Sequence, residues 1–198
     1  MEQAGDLPEH APLMVISLDR ARTRLHDRLE EQARLAFIDR DLGVALETAR
    51  AAVRLQPRCC QGQILLGDVL CTQGLECEAL RTYHRARRLA PDKAEPYWSI
   101  STVHFLAGRW WDALHYLDLA QPRLRRGDGP LYQWIAEDRA LALLRLGRIE
   151  EALESVRWGL KRRPREARLL ELRAELKVRG RPHLHLIVGR GRRGLRAR

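Results

Sequence analysis

Residues 60–93 read CQGQILLGDVLCTQGLECEALRTYHRARRLAPDK. A glycine, Gly74, sits near the middle of this stretch, and Pro91 stands near its end. The same landmarks return at a fixed interval along the chain. Ala45, Ala79 and Ala113 are 34 residues apart, and so are Ala52, Ala86 and Ala120. Pro57 pairs with Pro91, and Gly74 with Gly108, at that interval. A period of this length marks a unit of supersecondary structure stacked on copies of itself. Each unit is predicted to be two amphipathic helices that cannot bury their apolar faces alone. Small residues allow the helix axes to approach, glycine permits the tight turn between them, and proline stops the second helix.

The unit resembles the tetratricopeptide repeat, whose pattern is W-x2-L-G-x2-Y followed by A-x3-F, A and P within 34 residues. Leu66-Gly67, Leu70, Ala79, Tyr83, Ala86 and Pro91 occupy the matching positions, with Gln63 in place of the tryptophan. Repeats are placed at 26–59, 60–93, 94–127 and, after a five-residue insertion, 133–166. In the fourth, Ala136, Ala140, Leu143, Gly147, Ala152, Val156 and Pro164 are in register. The pattern departs at Gln32-Ala33 (for Leu-Gly), at Arg125 (for Pro, with Pro122 earlier) and at Gly159 (for Ala). The junction QPRLRRGDGP, 121–130, is longer than a standard turn. The resemblance implies an all-α, right-handed α-solenoid of about four helix hairpins. Around it are expected an N-terminal arm or helix over 1–25, a capping helix over 167–178 carrying Leu169, Leu172 and Leu176, and an Arg/Gly-rich tail over 179–198.

Charge is unevenly placed. The chain of 198 residues carries 36 basic and 26 acidic side chains, a net +10. Residues 179–198 hold seven arginines and no acid, so the remainder contributes only +3. Just three of the basic residues are lysine, a bias that suits bidentate pairing with phosphate or carboxylate. No run reaches the roughly 18 apolar residues of a membrane span, and LMVISL at 13–18 lacks a basic n-region. Four cysteines without C-x-x-C spacing are expected to be reduced and packed, and the composition fits a cytoplasmic protein.

Catalytic patterns are missing. The segment HLHLIVGRGRRG, 183–194, matches G-x-G-x-x-G through Gly189, Gly191 and Gly194, but a dinucleotide cradle needs a strand, the glycine turn and then a helix. No such βαβ context is expected here, and the glycines are expected to loosen an arginine tail. His183 and His185 would share one face of a strand, but the sequence offers no third ligand close by. His104 is expected to be a satisfied core histidine. Carboxylates such as Glu150, Glu151 and Glu154 stand among Arg148 and Arg157 at helix-face spacing, the pattern of solvated ion pairs. The sequence therefore predicts no enzyme, no cofactor, no metal site and no small-molecule substrate.

What remains is binding. In this family the first helices of successive units line a concave groove. Carried over position by position, the groove residues are Asp27, Glu30, Arg34 and Phe37 in the first unit, and Ile64, Asp68 and Cys71 in the second. The third supplies Trp98, Thr102 and Phe105, and the fourth Trp134, Glu137, Leu141 and Arg145. Aromatic groups flanked by sparse charge suit a partner helix or extended peptide with apolar anchors; alternatively, Trp98 and Trp134 pack between repeats. The Lys and Asn that grip a C-terminal carboxylate in the chaperone-binding subgroup are replaced by Glu30, Arg34, Leu65 and Glu95, which disfavours chaperone-tail binding. Trp110 and Trp111 open a second helix, one expected to be buried and one partly exposed. The second surface is basic: Arg179, Arg181, Arg190, Arg192, Arg193, Arg196 and Arg198 in the tail, with Arg81, Arg85, Arg87 and Arg88 on one helix. The function expected is a protein-binding adaptor or scaffold within a multi-subunit complex, with the tail contacting a second partner or locking an assembly. The rival is an RNA- or ribosome-associated factor that binds nucleic acid through the Arg-rich tail and helices, though that tail has no aromatic for base stacking.

Overall fold

The computed structural model describes residues 11–180, and every regular element among them is helical. They form two compact units that divide between Pro91 and Asp92. The all-α class expected from the repeat is the class observed.

The first unit contains α1 (Ala11–Ile38), α2 (Leu42–Leu55), α3 (Cys60–Thr72) and α4 (Glu76–Leu89). Helix α1 runs unbroken for 28 residues and pairs with α2, and α3 pairs with α4. Asp41 caps α2 by accepting from the Val44 N–H at 3.1 Å, which satisfies one of the orphan donors of its first turn. Helix α4 begins with Glu76 and Glu78 and ends with Arg87 and Arg88, the charge order that suits its dipole. The core is a seam of small residues faced by larger ones. Ala33, Ala45, Ala52, Ala79 and Ala86 are all fully buried beside Val69 and Leu70. Gly67 completes the seam, because a β-carbon there would clash with the Tyr83 ring.

The second unit contains α5 (Glu95–Leu106), α6 (Trp110–Ala120), a 3₁₀ turn (Gln121–Arg123), α7 (Gly129–Arg145), α8 (Ile149–Arg162) and α9 (Ala167–Arg179). Helices α5 and α6 form one hairpin and α7 and α8 the next, while α9 lies across α8 and α7. Leu169, Leu172 and Leu176, spaced for one face of α9, are at most 1% exposed and close the core around Ala140, Leu143, Ala152 and Val156. Gly159 explains its own departure from the repeat pattern. A β-carbon at that position would lie 2.6 Å from Ala136 Cβ and 2.8 Å from Leu169 Cδ1, so only glycine lets the helices meet.

Each of the four hairpins turns by the same device. The first helix ends on a residue with positive φ: Arg40 (63°), Gly74 (76°), Gly108 (71°) and Gly147 (75°). The next residue's N–H then donates to the carbonyl five positions back, at 2.9 Å in all four: Asp41 to Ala36, Leu75 to Leu70, Arg109 to His104 and Arg148 to Leu143. This is the helix-ending motif in which a left-handed residue ties up otherwise orphaned carbonyls. Arg40 performs it without glycine's conformational freedom.

Candidate partner-binding site

The groove residues named from the repeat fall in both units. Those of the second unit form the most developed surface. Helix α5 carries Trp98 and, one turn on, Thr102, whose hydroxyl is held by the Trp98 carbonyl at 3.1 Å. Helix α7 carries Trp134 and, one turn on, Asp138. The Trp98 indole N–H donates to Asp138 Oδ2 at 2.8 Å, and the two indole rings stack with centroids 5.0 Å apart and planes 22° apart. Trp98 is half-buried, and Trp134 lies outside it with 43% of its surface exposed. An offset stack of this kind adds attraction beyond the area it buries.

Beneath the pair is an unusual acid. Burial pushes the Asp138 carboxyl from its ordinary 3.8 up to about 6; the Trp98 N–H pulls the other way, and the neighbouring Glu137 adds to the rise. Burial disfavours a carboxylate, and the single indole donor offsets only part of that cost. A strongly raised carboxyl beside exposed aromatic surface is a marker of functional sites. Sequence reasoning missed Asp138, since it stands 40 residues from Trp98 and only the packing of α5 on α7 joins them.

Trp134 also walls a cleft of about 290 Å³, lined by Lys93, Ala94, Glu95, Arg125, Asp128, Pro130 and Leu131. The insertion between repeats supplies part of that wall. Asp128 folds it back by accepting from the Arg125 backbone N–H at 2.8 Å, and the Arg125 guanidinium pairs with Asp92. Arg123 lies over the Tyr97 ring at 4.2 Å. The irregular junction thus builds a rim of both charges around an apolar floor.

Other predicted positions are engaged elsewhere. Phe105 meets Trp110 edge-on at 5.1 Å, and the Arg145 guanidinium lies 5.9 Å from that ring's centre. Glu137 pairs with Arg168 of α9 at 2.8 Å, and Leu141 packs against the core. In the first unit Phe37 is half-buried, Ile64 is 2% exposed within the core, and Asp68 accepts the Tyr83 hydroxyl at 2.7 Å; burial, with the Asp68 charge and this bond, pushes the phenol's pKa up. His104 accepts from Arg109 Nε at 3.0 Å and stacks on Tyr116. Trp110 is half-buried, whereas Trp111 is 64% exposed beneath the Arg148 guanidinium. Arg81, Arg85 and Arg88 are exposed on α4. Of the basic tail, Arg179 is exposed and pairs with Glu175 at 2.8 Å; Arg181, Arg190, Arg192, Arg193, Arg196 and Arg198, with His183, His185 and the 189–194 glycines, lie outside the described residues. Among the described residues, one group has metal-ligand composition: His26, Glu30 and Cys59, with their ligand atoms within 4.8 Å of one another. No helix among them is long and apolar enough to cross a membrane.

Residues 137–179, covering the second half of α7, α8 and α9, match the tetratricopeptide repeat family model. No curated protein matches the sequence. Among solved structures, Pseudomonas aeruginosa PilF superposes with a TM-score of 0.72 at 16% identity, over 80% of this chain and 70% of its own. A thermophilic tetratricopeptide repeat protein of Thermus thermophilus gives 0.64 at 23% identity, over 84% of this chain and 95% of its own. A tetratricopeptide repeat domain of yeast Sti1, solved in complex with an Hsp70 peptide, gives 0.57 at 16% identity, over 61% of this chain and 98% of its own. Residues 137–179 thus resemble the tetratricopeptide repeat in sequence, and the chain has the fold of these tetratricopeptide repeat structures.

Proposed function

We propose that the chain is a cytoplasmic, non-enzymatic adaptor that seats a partner helix or extended peptide on the Trp98–Trp134 surface. The observation that carries this reading is the pair itself: an exposed indole stacked on one that a half-buried carboxylate holds in place. Rigid aromatic anchors beside a cleft are where binding energy concentrates in protein interfaces. The partner chemistry follows from the lining. An apolar side chain would rest against Trp134, Pro130 and Leu131, with flanking charges answered by Lys93, Arg125 and Asp128. The positions that would grip a chaperone's C-terminal carboxylate hold Glu30, Arg34, Leu65 and Glu95, so the peptide-bound Sti1 domain is a guide to fold and not to partner.

The tail is the second contact in this proposal, for a second partner or for locking an assembly. The test compares Trp134→Ala, the double Trp98→Ala/Trp134→Ala, and deletion of 179–198 in capture from the native host. Partners lost with the tryptophans and kept without the tail support the adaptor. Binding that survives the tryptophan changes, disappears with the tail, and falls with salt at a log–log slope of about −0.7 to −0.9 per phosphate contacted would replace it with the nucleic-acid reading.

A further inference from the structure

We infer that His26, Glu30 and Cys59 form a zinc site in the first unit. His26 and Glu30 stand one turn apart on α1, and Cys59 leads into α3. His26 is 2% exposed. Its Nδ1 faces the Ala52 carbonyl at 3.1 Å; a carbonyl only accepts, so the proton is on Nδ1. In the neutral ring this leaves the Nε2 lone pair aimed at Glu30 Oε1, 3.7 Å away. The same oxygen is 3.7 Å from Cys59 Sγ. The Glu30 carboxylate thus sits between the imidazole and a thiol that donates to it, and a metal that displaces the thiol proton would find three electron-pair donors converging on it. An imidazole whose far nitrogen is anchored by a backbone carbonyl is the usual orientation of a histidine ligand.

Geometry and surroundings agree. Around tetrahedral zinc, with bonds of about 2.0–2.3 Å, neighbouring ligand atoms lie roughly 3.3–3.6 Å apart; two of the separations here are 3.7 Å, and all three lie within 4.8 Å. Nitrogen, sulfur and carboxylate oxygen together suit zinc better than magnesium or calcium. Three protein ligands leave a fourth position for water. Gly62 makes the room: a β-carbon there would stand 3.0 Å from Glu30 Oε1 and 3.5 Å from His26 Cε1. Its N–H points at Cys59 Sγ from 3.5 Å, an outer-shell donor to the sulfur. An open hollow between α1 and the α2–α3 turn reaches Cys59 and gives access. The absence of C-x-x-C spacing hid the site in the sequence, because its ligands come from two segments brought together by the α1–α2 hairpin.

The experiment titrates untagged full-length protein, reduced and metal-stripped, with Co²⁺ and then Zn²⁺. One Co²⁺ per chain, with a thiolate-to-cobalt charge-transfer band that one equivalent of Zn²⁺ abolishes, is the expected result. Cys59→Ser, which puts an oxygen in place of the sulfur that caps α3, is expected to lose the band and weaken Zn²⁺ by about 100-fold or more. Glu30→Gln, on a partly exposed side chain, should weaken it by about 10-fold or more, with far-ultraviolet circular dichroism confirming the fold of both. Cys77→Ser should change nothing. No charge-transfer band in the wild type, a band that follows Cys77, or equal Zn²⁺ affinity in a folded Cys59→Ser or Glu30→Gln variant would overturn the site.

Discussion

Replacing Asp138 by asparagine tests the physics beneath the tryptophan pair. The carboxyl is raised from 3.8 to about 6 by burial, against the pull of the Trp98 indole N–H. At roughly 1.4 kcal/mol per pH unit, the folded state at neutral pH holds this ionised group at a cost of about 3 kcal/mol. The sign follows from which form the fold prefers. A carboxyl whose folded pKa exceeds its unfolded one binds its proton more tightly in the native state. Its contribution is therefore fully present below about pH 4, is lost as pH rises through about 6, and is constant above that. Asparagine keeps an oxygen to accept from Trp98 and carries no charge. Asp138→Asn is thus expected to gain on wild type by about 2.4 kcal/mol between pH 4 and pH 7.5, with most of the change between 4 and 6. In a chain of this length that corresponds to a change in the Tm difference of about 5–10 °C between the two pH values. Urea unfolding of both proteins at the two pH values measures it, and the difference between them cancels carboxylates elsewhere. Trp98→Phe removes the donor, so its penalty should be larger at pH 7.5 than at pH 4. A wild-type-to-asparagine gap that is flat with pH, or that narrows as pH rises, would refute the assignment.

Two further outcomes concern the scaffold. Gly159→Ala is expected to destabilise by about 1–3 kcal/mol, because overpacking against Ala136 and Leu169 outweighs the gain in helix propensity; a lower urea midpoint with an unchanged m-value is the readout, and a rise in midpoint would contradict the close approach. Arg40→Gly should stabilise by about 0.5–1 kcal/mol, since glycine relieves a left-handed conformation that costs other residues roughly 1–2 kcal/mol. Arg40→Ala keeps the strain and should give no such gain in the same unfolding experiment.

Much of the scaffold is legible in the sequence because its determinants are local and recur. Alanines 34 apart mark positions where helix axes touch, and Ala45, Ala79 and Ala113 are all fully buried. The spacing of Leu169, Leu172 and Leu176 marks one face of a helix, and that face closes the core. Features set by contacts between distant segments are not legible. Arg40 occupies a turn where only the repeat register, not the residue type, could signal positive φ. Gly159 looks like a defect in the pattern until Ala136 and Leu169 stand against it. Asp138 is one polar residue among many on α7 until α5 brings Trp98 to it. The junction at 121–130 reads as an irregular spacer, yet Asp128 folds it into a cleft wall.

On the proposed function, Trp134 lies at the point of contact with a protein partner. A photo-crosslinking amino acid placed at 134, and in a parallel chain at Glu154 on the exposed face of α8, tests it directly in the native host. The expected result is a discrete protein adduct from position 134 that resists nuclease and is missing from position 154. Equal labelling from both positions, or an adduct from 134 that nuclease removes, would contradict it.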